Sequence, residues 1–123
     1  MSFEHQDAFL TLASTQLETL VQFYQQLFNQ EPKFYSPGKF AEFQLASLRL
    51  AIFAPKPDHQ AEFGPTAKGA MSLCLEVDDL ERAIAHLQIW GYPATNKISE
   101  ASHGREIYAY DPDGNRLILH QSR

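Results

Sequence analysis

One cysteine, Cys74, is all the sequence holds, so no disulfide can close within the chain. No apolar run approaches the roughly 20 residues that cross a bilayer. The N-terminus, Met-Ser-Phe-Glu-His-Gln-Asp, lacks the basic and apolar segments of a secretory leader. Basic residues are outnumbered, 10 Lys and Arg against 15 Asp and Glu, for a net charge of −5. That balance argues against nucleic acid or an anionic membrane as partner. There is no glycine loop of the kind that cradles phosphate. Cys74 has no histidine at a neighbouring position of its strand to act as a base. The expectation from these absences is a cytoplasmic protein with no nucleic-acid or membrane partner.

What is present is ordinary globular material. A chain of 123 residues, 44% hydrophobic and 20% charged, is long enough for one domain with a real core. Ala8 to Ala13 reads as a short buried strand. Thr15 and Glu18 form a capping box, and Leu17, Leu20, Val21, Tyr24, Leu27 and Phe28 follow at helical spacing. Pro32 ends the helix. Strands are expected near Lys33–Ser36, Phe40–Leu45 and Leu48–Phe53, with turns at Pro37-Gly38 and Ala46-Ser47.

Ala54 to Gly69 is rich in proline and lacks periodicity, and reads as a linker. Then the pattern restarts. Ala70–Val77 is a strand, Asp78 and Glu81 are a second capping pair, and Leu80, Ala83, Ile84 and Leu87 line a helix that Gly91 closes. A strand near Ala94–Ile98 leads to a hairpin. In that hairpin Glu106, Tyr108 and Tyr110 alternate with Ile107 and Ala109, and Arg116, Ile118 and His120 alternate with Leu117 and Leu119. The turn between is Asp111-Pro112-Asp113-Gly114, where Pro112 presets φ and Gly114 accepts φ > 0.

The restart is a repeat. A shift of 63 carries Thr15, Leu17, Glu18, Val21 and Tyr24 onto Asp78, Leu80, Glu81, Ile84 and Leu87, and Phe9 onto Ser72. A shift of 67 carries Arg49, Leu50, Ala51 and Phe53 onto Arg116, Leu117, Ile118 and His120. Each half is β-α-β-β-β. The chain is therefore expected to be α+β, a single domain over 1–123, with modules at about 7–54 and 70–121 joined by a linker at 55–69.

The repeat, the paired caps and the Asp-Pro-Asp-Gly-Asn hairpin together resemble the vicinal oxygen chelate superfamily. That group includes glyoxalase I, bleomycin-resistance proteins, fosfomycin-resistance thiol transferases and extradiol dioxygenases. The resemblance implies that the two βαβββ modules form a curved mixed sheet around a cavity. It also implies a metal, held by His, Glu or Gln from the first and last strands of each half. In this sequence those positions fall on Phe9, Ser72, Ala51 and Ile118. Three of the four offer no lone pair, and a serine is a poor ligand for Zn, Ni, Fe or Mn. The expectation is no metal and no other cofactor, as in the bleomycin-resistance branch, where the concave sheets trap a drug.

Parity then names a candidate ligand-binding set of Phe9, Thr11, Arg49, Phe53, Ser72, Cys74, Glu106, Tyr108, Tyr110 and His120. Ala51 and Ile118 share its face, and Arg49 and Arg116 stand at strand starts. In the fosfomycin-resistance branch a Tyr three residues before the Asp of the turn contacts substrate, and Tyr108 matches it. His5, His59, His86 and His103 read as surface residues. The leading expectation is binding of a small, partly apolar or aromatic molecule, by sequestration or sensing. Two alternatives stand beside it. One is a lyase, isomerase or transferase built on Glu106, Tyr108 and His120, with Glu106 and Tyr108 as an acid/base pair. The other is a non-catalytic interaction subunit whose cavity is vestigial. Short edge strands and an apolar first strand point to a homodimer.

Overall fold

The computed structural model describes residues 4–64, 69–94 and 96–123. It falls into two compact units, Met1–Gly64 and Pro65–Arg123. Among the described residues no helix is long and apolar enough to cross a membrane.

In the first unit, β1 (Leu10–Ala13) leads into α1 (Leu17–Phe28), followed by β2 (Phe34–Ser36), β3 (Phe40–Gln44) and β4 (Arg49–Phe53). The sheet order is β1-β4-β3-β2, with β1 parallel to β4 and the other pairs antiparallel. Period two in β3 and β4 sends Ala41, Phe43, Leu50 and Ile52 to one face, where all are fully buried. The apolar stripe of α1 covers that face with Leu17, Leu20, Val21, Phe23 and Tyr24. Each such large side chain removed from water contributes about 1.5–3 kcal/mol. Aromatic contacts lock the layer: Phe28 stacks on Tyr24 at 5.5 Å and meets Phe43 edge-on at 5.7 Å between ring centres.

The second unit repeats the plan. β5 (Ser72–Glu76) is followed by α2 (Leu80–Ile89), β6 (Ser99–Ala101), β7 (Gly104–Tyr110) and β8 (Arg116–Ser122), in the order β5-β8-β7-β6. Leu73, Ile107, Ala109, Leu117 and Leu119 form the buried face, under Leu80 and Leu87 of α2. The shifts of 63 and 67 predict the pairing. Leu10 faces Leu50 and Thr11 faces Ala51 in the first sheet. Leu73 faces Leu117 and Cys74 faces Ile118 in the second. The fold is α+β, two like βαβββ modules, each with its own four-stranded sheet.

Several local expectations need correcting. α1 takes its N-cap from Gln16, with no side-chain cap bond, and Ser14 Oγ accepts from the Gln16 N–H instead. Thr15 is not the cap. α2 is capped by Asp79, whose Oδ1 accepts from the Arg82 N–H at 3.0 Å, and not by Asp78. Glu18 and Glu81, the expected partners of those caps, do a different job at equivalent places. Glu18 Oε1 accepts from the N–H of Gly38 in the β2–β3 turn at 2.5 Å. Glu81 forks onto Arg105 of β7 at 2.6 and 2.8 Å. Each carboxylate ties its helix to the hairpin of its own module. α1 ends before Pro32, at Asn29, which takes the left-handed conformation (φ 51°).

The remaining differences are of extent. β1 begins at Leu10, two residues later than expected, and β6 lies at Ser99–Ala101 rather than Ala94–Ile98, of which Thr95 is outside the described residues. The expected linker contains a 3-10 helix at Pro57–Phe63, and its residues 65–68 are outside the described set.

Candidate functional site

Each sheet has a second face, turned away from its helix, and the register lays the candidate residues out there in rows. In the second unit one row is Ser72–Arg116–Tyr110, the next Cys74–Ile118–Tyr108, and the third Glu76–His120–Glu106–Ser99. Six candidates, Ser72, Cys74, Glu106, Tyr108, Tyr110 and His120, thus share one surface. In the first unit Thr11–Ala51–Glu42–Phe34 make one row and Ala13–Phe53–Phe40–Ser36 the next. Phe9 lies one residue before β1, with its ring 4.0 Å from the Arg49 guanidinium.

These faces are not packed as cores are. Phe9, Phe34, Phe40 and Tyr108 keep 47%, 53%, 44% and 40% of their surface exposed. Such a density of uncovered aromatic surface, edged by polar tips, suits a partly apolar ligand. Ile118 is half-buried, because its odd-numbered neighbours Leu117 and Leu119 are the ones under α2.

Arg49, Arg116 and His120 are tied down. Arg49 donates from NH1 to Asp7 at 2.8 Å and approaches Glu42 at 3.6 Å, so it offers no free charge to an anion. Arg116 NH1 donates to the Gly69 carbonyl at 2.7 Å and to Ser72 Oγ at 3.2 Å. His120 Nδ1 lies 2.7 Å from Glu76 Oε1, and Glu76 Oε2 accepts from the Ser122 N–H at 2.7 Å. Hydrogen bonds from His120 and Ser122 hold the Glu76 carboxyl below its ordinary value. The Cys74 thiol is pushed up, first by partial desolvation and then by the charges of Glu106 and Glu76. A raised thiol is a poor nucleophile at neutral pH.

The metal implied by the superfamily does not fit the residues at its four positions. Phe9, Ala51 and Ile118 carry no donor atom, and the hydroxyl of Ser72 is engaged by Arg116.

Sequence reasoning missed Phe34, Phe40, Glu42, Glu76 and His103. Glu76 was two residues along from Cys74 and so carried the parity signal. Phe40 and Glu42 share the parity of β3, a strand whose register only the pairing resolves. His103 sits in the two-residue β6–β7 turn, where no alternation applies. A separate concavity of about 700 Å³ runs along α1, lined by Gln22, Gln25, Gln26, Asn29 and Gln30 among others. It holds none of the candidates, so the open sheet faces fit the chemistry better.

Comparison with known proteins agrees with this architecture. No curated protein matches the chain. A glyoxalase/bleomycin resistance protein from Catenulispora acidiphila is 22% identical with a TM-score of 0.68, and the match covers 97% of this chain and 100% of that one. A protein from Agrobacterium tumefaciens solved by NMR is 24% identical with a TM-score of 0.77, over 98% and 99% of the two chains. The fosfomycin resistance protein FosX of Listeria monocytogenes, in a complex with Mn(II) and sulfate, is 20% identical with a TM-score of 0.76, over 98% and 93%. At these identities the likeness concerns the fold. The family is carried by the sequence itself, for residues 8–119, nearly the whole βαβββ repeat, match the model of one family. The chain belongs to the glyoxalase/bleomycin resistance protein/dioxygenase superfamily.

Proposed function

We propose that this protein binds a small, partly apolar or aromatic molecule on its open sheet faces, without a metal at the superfamily's four usual positions. The observation that carries the reading is the half-exposed aromatic surface on each unit's own open face: Phe9, Phe34 and Phe40 in the first, and Tyr108 in the second, where Ser72, Tyr110 and Glu106 supply polar tips. Sequestration or sensing is our reading of that surface, and a Cys74 thiol pushed up by partial desolvation and by the charges of Glu106 and Glu76 agrees with it. An enzymatic reading has one observation in its favour, the direct pairing of Glu106 with His120 across β7 and β8.

The test is a fluorescence titration with 1-anilinonaphthalene-8-sulfonate, an aromatic anion, in excess chelator. Saturable binding that weakens at least about tenfold in Tyr108→Ala, roughly 1.4 kcal/mol, supports the proposal. Absence of saturation, or binding indifferent to Tyr108→Ala, rejects it. Assembly as a two-fold dimer belongs to the same proposal, because β1, β2, β5 and β6 are sheet edges within their units.

A further inference from the structure

The end of the second unit's open face gathers a different set of donors. His103, Glu106 and His120 each place a ligating atom within 4.8 Å of the other two. Three elements bring them there. His103 stands in the β6–β7 turn, Glu106 on β7, and His120 directly opposite Glu106 on β8. The His103 and His120 rings lie parallel, with centres 5.2 Å apart.

The hydrogen bonding around His120 prepares it to ligate. Glu76 is a carboxylate acceptor, so Nδ1 of His120 is the nitrogen that donates across the 2.7 Å contact. In the neutral imidazole this leaves the lone pair on Nε2. Nε2 is buried and has no hydrogen-bond partner among the described residues. A buried acceptor left unsatisfied is destabilising, and a bound cation would relieve it. A carboxylate behind one ring nitrogen and a bare lone pair on the other is the usual arrangement of a metal-bound histidine. Gly104 makes the room. Its φ is +153°, and a Cβ there would meet the Gln121 carbonyl and come within 2.9 Å of His120 Nε2.

We propose that His103, Glu106 and His120 bind a divalent first-row transition ion, with Zn²⁺ as the reference case, and that Glu76 orients His120 for it. Two imidazoles and one carboxylate form a donor set that suits Zn²⁺, Ni²⁺ or Fe²⁺ and leaves coordination positions open. Tetrahedral ligands at 2.0–2.1 Å lie about 3.3 Å apart, so the trio, all within 4.8 Å of one another, contracts by at most about 1.5 Å. His103 is exposed and turns off its stack to do so. The site is distinct from the four superfamily positions, since His120 lies two residues beyond Ile118 on the same strand.

The experiment is calorimetric titration of chelator-stripped full-length protein with Zn²⁺, repeated with Co²⁺ to read its visible absorption. One ion per chain at micromolar or tighter affinity is expected. His103→Ala, on an exposed turn that does not threaten folding, should abolish that binding, as should Glu106→Gln. Glu76→Gln should weaken it by about 10–100-fold, and His59→Ala and His86→Ala should leave it unchanged. No stoichiometric binding, binding that survives His103→Ala, or binding lost in His59→Ala or His86→Ala overturns the assignment. The probe titration above runs in chelator, so failure of either proposal is read separately.

Discussion

At the residue scale the parity of β8 separates two neighbours with different duties. Leu117 is fully buried under α2 while Ile118 is half-buried on the open face. Leu117→Ala should therefore cost about 2–5 kcal/mol in urea unfolding. Ile118→Glu should cost clearly less, because the new carboxylate reaches water. Equal destabilisation by the two would mean that the open face is covered and dry. Asp111 is the other decisive residue. It is 4% exposed, and its carboxylate accepts from the N–H groups of Asp113 and Asn115 and from Asn115 Nδ2. Asp111→Ala leaves those donors without their acceptor and should lower stability by about 1–3 kcal/mol, measured by the same unfolding curve.

At the element scale the paired glutamates decide how each helix holds its hairpin. Arg105 hydrogen bonds keep the Glu81 carboxyl down at about 2, far below the ordinary glutamate value. A carboxyl lowered by folding adds stability above its ordinary value, and that part is lost as pH falls toward 2. Thermal melts of wild type and Glu81→Gln should thus differ at pH 6 and converge near pH 2. A gap that stays constant over that range would show that the ion pair contributes nothing, as many exposed pairs do. The capping-box spacing is visible in the sequence at both helices, yet it names the wrong bond. Three-residue spacing places Glu18 and Glu81 on the first turn but cannot see that Gly38 and Arg105 arrive there from the hairpin. Strand parity was legible because period two fixes the face once one buried residue is known. The β6 position and the β3 register were not, because Ser99–Ala101 and Phe40–Gln44 owe their limits to partner strands.

At the scale of the whole molecule the repeat was the strongest signal in the sequence, since its two shifts reproduce the register of both parallel pairs. The open-face residues were readable from it, whereas His103 was not, because a turn residue has no parity. The proposed dimer predicts a mass near twice 14.0 kDa by light scattering at micromolar concentration, and a mass near 14.0 kDa across that range would reject it. The open sheet faces are proposed as the binding surface. The most direct measurement is NMR chemical-shift mapping of the 1-anilinonaphthalene-8-sulfonate titration, in chelator, on isotope-labelled protein. Saturable shifts are expected on the open faces, at Phe9 and Phe53 of the first unit and at Cys74, Tyr108 and Ile118 of the second, with their strand neighbours. Shifts confined to Gln22, Gln25, Gln26 and Asn29 along α1, with the sheet residues unmoved, would contradict it.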